Sequence, residues 1–196
     1  MKLPLFLFSL PTLITWTASA QVNIPIVNPG FEADVLTCSA GVDCFQSSVI
    51  PGWLPDWFNG GYSGTFKPGP AEYPLGIPGG VNVAYLGRSP SPFPISGGIF
   101  QALSATLLPN TTYTLTLNVG ARADEPFTGY VATLLAGGMP IAIDDTLKPA
   151  PGTFLEDVMV YKSGPTLLVG QLLAISIRSV GTGQVSIDNV SLTATP

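Results

Sequence analysis

The residue types that do chemistry are few in this chain, and some are missing altogether. No histidine occurs among the 196 residues. That removes Ser-His-Asp and Cys-His machinery and the commonest metal ligand. Cys38 and Cys44 are the only cysteines, too few to hold zinc. Twelve acidic residues remain. A glycosidase needs two carboxylates facing across a cleft. The adjacent pairs Asp144-Asp145 and Glu156-Asp157 would point to opposite faces on a strand and read as turn and surface groups. No glycine-rich phosphate loop ending in Lys-Ser or Lys-Thr is present. With no recognisable acid–base set, the expectation is a protein that is not an enzyme. Two other groups remain. One is the carboxylates Glu32, Asp34 and Asp188. The other is a set of ring faces, Trp57, Tyr62, Tyr85 and Tyr130, together with Arg122. Aromatic rings give large contact area at low entropy cost. Arg122 is either a planar donor in a cleft or the surface partner of Asp124 or Glu125.

The elements that must position these groups are strands. Tyr113, Leu115, Leu117 and Val119 alternate with Thr112, Thr114, Thr116 and Asn118. Val81, Val83 and Tyr85 alternate with Asn82, Ala84 and Leu86, and the same period runs through 154–160 and 173–178. Such alternation marks half-buried strands. Turn signals fall between them at Pro109-Asn110, Gly137-Gly138, 149–152, Gly164-Pro165 and 181–183. The pattern predicts an all-β, antiparallel sandwich of the jelly-roll type with roughly eight to ten strands. Residues 50–80 break it. They hold Trp53, Trp57, Phe58, Tyr62, Phe66 and Tyr73 among many prolines and glycines, and a connection that long is usually functional or ordered by its own packing. Trp53 reads as core. In the last strand the apolar phase slips by one between Ile187 and Val190, which predicts a bulge at Asp188-Asn189. Bulges re-aim side chains, so an acidic residue placed there invites a site.

Residues 1–20 combine Lys2, an apolar stretch to Ile14 and Ala18-Ser19-Ala20 before Gln21. That is the pattern of a secretory signal peptide and predicts an extracellular protein. Residues 21–196 then form one domain large enough for a real core. With 46% hydrophobic and 10% charged residues, disorder is excluded. The acidic balance and the absence of a basic run argue against nucleic acid. In an oxidising compartment Cys38 and Cys44 are expected to form a local disulfide contributing about 2 kcal/mol or less. Two glycosylation sequons begin at Asn110 and Asn189; the first would be accessible in its turn, the second poorly so in the bulge.

Asn28-Pro29-Gly30-Phe31-Glu32 near the start, Pro51-Gly52-Trp53 after it, and Ile187-Asp188-Asn189-Val190-Ser191-Leu192 near the end give the chain a layout that resembles the galactose-binding-like β-sandwich superfamily. Within that superfamily it resembles the secreted jelly-roll carbohydrate-binding modules. The resemblance implies a non-catalytic binding domain for a polysaccharide or glycan, with a structural calcium where the chain ends meet. Glu32 and Asp188 would be its ligands, with Asp34 a candidate by proximity. The alternative for these carboxylates is that they accept backbone N–H groups. Trp57, Tyr62, Tyr85, Arg122 and Tyr130 would contact the sugar. Such modules usually accompany an enzyme, and no catalytic domain is evident in this sequence. A structural, surface-associated or cell-wall protein using the same fold for matrix contacts is therefore the second expectation.

Overall fold

The computed structural model describes residues 20–38, 44–46, 49–56, 61–88 and 97–196. Among them the chain forms twelve strands and no helix: β1 (Val22–Ile24), β2 (Cys44–Gln46), β3 (Leu54–Pro55), β4 (Gly61–Lys67), β5 (Val83–Arg88), β6 (Gly98–Thr106), β7 (Thr112–Ala121), β8 (Tyr130–Ala136), β9 (Met139–Asp144), β10 (Thr153–Lys162), β11 (Leu172–Ser179) and β12 (Gln184–Thr195). They pair into two antiparallel sheets. The larger runs β10-β7-β12-β5-β4-β2, with β1 also on β12, and the smaller runs β3-β6-β11-β8-β9. This is the expected all-β sandwich. It exceeds the expected strand number through β1, β2 and β3, which are too short for alternation to reveal.

The core lies between the sheets. Leu115, Leu117 and Val119 of β7 and Val185 and Ile187 of β12 meet Leu134 of β8 and Ile175 and Ile177 of β11. Trp53 is 1% exposed and tilts against Phe31 at 5.6 Å, and its indole N–H donates to the Asn28 carbonyl. On β10 Phe154, Val158 and Val160, which share one strand phase, face away from this core, and Asp157 and Met159 turn inward.

The long connection over 50–80 is not uniformly irregular, because it contains β3 and β4. The longest described stretch without strand structure is 68–82, where four prolines each remove a backbone donor. That stretch folds across the outer face of the larger sheet. Tyr73 stacks on Phe154 at 4.5 Å, and Ile77 joins Phe66, Val83, Tyr85 and Phe154 in a small second apolar cluster. The bulge in β12 is present. Asp188 pairs with Asn118, but Ser191 pairs with Thr116, so one extra residue is accommodated. Asn189 takes the left-handed conformation, φ 49°, and the Val190 N–H donates to the Pro29 carbonyl. The phase slip in the sequence is thus the point where the end of the chain is tied to its beginning.

Candidate active site

The register of the larger sheet lays out one outer-face row across five strands: Gly64, Tyr85, Ser186, Gly120 and Phe154. The neighbouring row carries Tyr62, Gly87 and Gln184. Glycine is required where rings lie flat on the sheet. A Cβ on Gly87 would come within 2.4 Å of the Tyr62 ring, and one on Gly120 within 2.4 Å of the Phe154 ring. Tyr85, only 3% exposed, is the centre of an aromatic group. Tyr62 tilts against it at 5.9 Å, and Phe45 and Phe66 meet it edge-on at 6.1 and 6.5 Å.

These rings open into a cleft of about 380 Å³, bounded by Phe45, Tyr62, Phe66, Tyr85, Arg122, Glu125 and Gln184. That volume suits a small organic molecule. Arg122 directly follows β7 and is 9% exposed. Its guanidinium lies over the Phe66 ring, 4.6 Å from the centroid. Nε and Nη2 donate to the two Asp124 oxygens at 2.9 and 2.6 Å, and Nη1 donates to Gln184 Oε1 at 3.0 Å. The pairing holds the Asp124 carboxyl below the usual carboxylate range. Both alternatives for Arg122 therefore hold at once: it lines a cleft and it pairs with Asp124. Glu125 is the carboxylate among the residues bounding the cleft.

A second polar cluster sits where the chain ends meet. Asp188 is fully buried. Its Oδ2 accepts the Gly79 N–H at 3.0 Å and its Oδ1 the Asn189 N–H at 2.7 Å. Glu32 Oε1 accepts the N–H groups of Val81 and Asn82 at 2.9 and 2.8 Å. Burial pushes the Asp188 carboxyl up to about 7, the two backbone donors oppose this, and the nearby Glu32 charge adds to it. Asp34 accepts a hydrogen bond from the Thr65 hydroxyl. Asn82 Oδ1 is buried with no hydrogen-bond partner. Among the described residues no group of three or more His, Cys, Asp or Glu converges as a metal site. Glu32 and Asp188 thus come together over the 79–82 segment and use the backbone donors that the alternative reading supplied.

Of the five candidate ligand residues, Tyr62, Tyr85 and Arg122 meet in the cleft, while Trp57 lies outside the described residues. Tyr130 does not join them. It is 1% exposed between the sheets, with its hydroxyl 2.7 Å from Asp157 and 3.2 Å from Asp144. Cys38 and Cys44 form the expected disulfide. Asn110 is exposed in its turn. Asn189 is exposed as well, since the bulge turns its side chain outward, where Nδ2 donates to Asn118 Oδ1. The candidate signal segment lies almost wholly outside the described residues. Sequence reasoning missed Phe45, Phe66, Glu125 and Gln184 as cleft residues. Phe66 and Gln184 were findable, since each shares a strand phase with a chosen residue, Tyr62 and Asp188.

The profile of the HpiC1-like family, described as HpiC1 cyclase, matches residues 22–193. The chain belongs to the HpiC1-like cyclase family. It is 32% identical to the Stig cyclase Fisc from Fischerella sp. TAU, solved in complex with (3Z)-3-(1-methyl-2-pyrrolidinylidene)-3H-indole; the match covers 90% of this chain and 99% of that one, with a TM-score of 0.82. A cyclase from the same source in complex with 4-(1H-indol-3-yl)butan-2-one is also 32% identical, over 89% and 98%, with a TM-score of 0.78. A family 61 carbohydrate-binding module in complex with β-1,4-galactotriose shares the fold alone, at 12% identity over 86% and 97% and a TM-score of 0.53. No curated protein sequence matches the chain.

Membership of a cyclase family corrects several expectations. A non-catalytic carbohydrate-binding domain, the structural or cell-wall alternative, and polysaccharide or matrix partners are all overturned. The opening and closing motifs close the sandwich, through Val190 to Pro29 and Glu32 to the 81–82 segment. They report fold and not ligand. Non-enzyme status, inferred from missing histidine and nucleophile, is overturned as well. Ring closure within one substrate needs no protein nucleophile; shape, charge stabilisation and proton transfer suffice.

Proposed function

We propose that this chain is a small-molecule cyclase acting on an indole bearing a reactive side chain, and that the cleft of Tyr85, Tyr62, Phe66, Phe45, Arg122, Glu125 and Gln184 is its active site. The observation that carries this is an aromatic cleft of about 380 Å³ in a chain whose family relatives from Fischerella are described with indole ligands. Tyr85 and Tyr62 hold the planar bicycle and fix the side chain over it, which lowers the entropy cost of ring closure. Their π faces stabilise positive charge developing on the ring system. Glu125 holds or moves a proton at the rim, and the Arg122 charge is balanced by Asp124. The test is a calorimetric titration with 4-(1H-indol-3-yl)butan-2-one. Saturable binding that is lost in Tyr85→Ala supports the assignment, and equal binding by that variant refutes it.

We also propose that Glu32 and Asp188 hold a calcium ion. Two carboxylates and the unpartnered Asn82 Oδ1 suit a hard cation, and its charge would keep Asp188 ionised despite burial. Asp34, bonded to Thr65, is assigned to support of the loop. The ion would fix the 79–82 segment and the β12 bulge. Export through residues 1–20 is likewise proposed, and an N-terminus at Gln21 in protein recovered from the medium or periplasm would establish it.

A further inference from the structure

Within the proposed cleft one polar contact settles its own orientation. Arg122 Nη1 lies 3.0 Å from Gln184 Oε1. A guanidinium can only donate, so the carbonyl oxygen and not the amide nitrogen must face it. Nε2 is left at the other corner of the amide with two hydrogens and no acceptor among the described residues. Gln184 is half-buried and lines the cleft. Arg122 cannot swing away, because Asp124 grips it from both oxygens and Phe66 lies beneath it. The result is an amide donor of fixed direction in a cleft whose other walls are mainly rings.

We infer that Gln184 selects substrates carrying a hydrogen-bond acceptor, a ketone oxygen or an sp² nitrogen, beside the aromatic ring system, and that Arg122 and Asp124 act as its positioning pair. The inference rests on the cleft being the ligand site. An acceptor-free ligand would bury Nε2 without a partner and bind more weakly. A neutral hydrogen bond of this kind is worth roughly three- to tenfold in affinity.

The experiment compares two probes of nearly equal size by calorimetry: 4-(1H-indol-3-yl)butan-2-one and 3-butyl-1H-indole, which lacks the carbonyl. Wild type should bind the ketone roughly three- to tenfold more tightly. In Gln184→Met the ratio should fall to about one, because neither probe then meets an amide donor. Arg122→Met should lower the ratio through loss of amide orientation, a change that a general packing defect, weakening both probes alike, would not produce. A ratio near one in wild type overturns the inference without any variant, and so does an unchanged ratio in Gln184→Met. If neither probe binds wild type, the cleft assignment itself fails and this inference falls with it. If both bind equally, the cleft stands and only the donor role is lost.

Discussion

Replacing Gly87 by alanine should damage ligand binding without damaging the fold. The added Cβ would sit 2.4 Å from the Tyr62 ring, so the ring must retreat by about 1 Å or more to reach ordinary contact. Tyr62 is half-buried, so the clash is met by displacing its side chain, while β5 keeps its pairing with β4 and β12. Alanine also lowers the entropy of the unfolded chain relative to glycine, so Tm should stay level or rise slightly. The loss falls on the cleft. Displacing one stacking wall removes about 1 kcal/mol of aromatic contact, or roughly five- to tenfold in Kd. The assay is calorimetric titration with 4-(1H-indol-3-yl)butan-2-one, run on wild type, Gly87→Ala, Tyr62→Ala and the double variant. The alanine at 87 should have no further effect once Tyr62 is gone, since its cost passes through that ring. An unchanged Kd in Gly87→Ala, or an equal loss in the Tyr62→Ala background, would refute the glycine-supported wall.

Three further outcomes are expected. Asp157 is 3% exposed, and its carboxyl is pushed up by burial and by the Asp144 charge, against the hydrogen bond from Tyr130. A buried acid of raised pKa stabilises the fold only while protonated. Its contribution is therefore full below its ordinary value of 3.8 and lost as pH rises above it, so Tm of wild type should fall relative to Asp157→Asn across that range, and parallel Tm–pH curves would contradict this. Millimolar calcium should raise Tm over excess EDTA, by up to about 2.7 kcal/mol in stability at a hundredfold excess over Kd, and Asp188→Asn should abolish the difference; equal melting with and without EDTA would remove the ion. Trp53→Ala should cost about 3–5 kcal/mol in urea unfolding, because a fully buried ring is lost from the core.

The sandwich was legible because alternation survives wherever one face of a strand is buried, as in β7 and β11. The β12 bulge was legible for the same reason, since a slip in phase is a slip in register. β2 and β3 were not, being two or three residues long. The cleft was half legible. Tyr62, Tyr85 and Arg122 were chosen by residue type, but which aromatics share a face depends on strand pairing that no local pattern contains. Tyr130 shows this: the same chemical reasoning selected it, and the topology put it between the sheets beside Asp157. Membership of a cyclase family was not legible, because the absence of histidine bears on Ser-His and Cys-His machinery and says nothing about ring closure within one substrate.

The most direct test of the central claim is turnover. The protein should be incubated with indoles whose C3 side chains carry an alkene or a carbonyl, and the products followed by liquid chromatography and mass spectrometry. A new product of unchanged mass and altered retention, shown by NMR to contain an added ring and absent with Tyr85→Ala, is the predicted result. Product formed equally by wild type and Tyr85→Ala would contradict the assignment of the cleft as the active site.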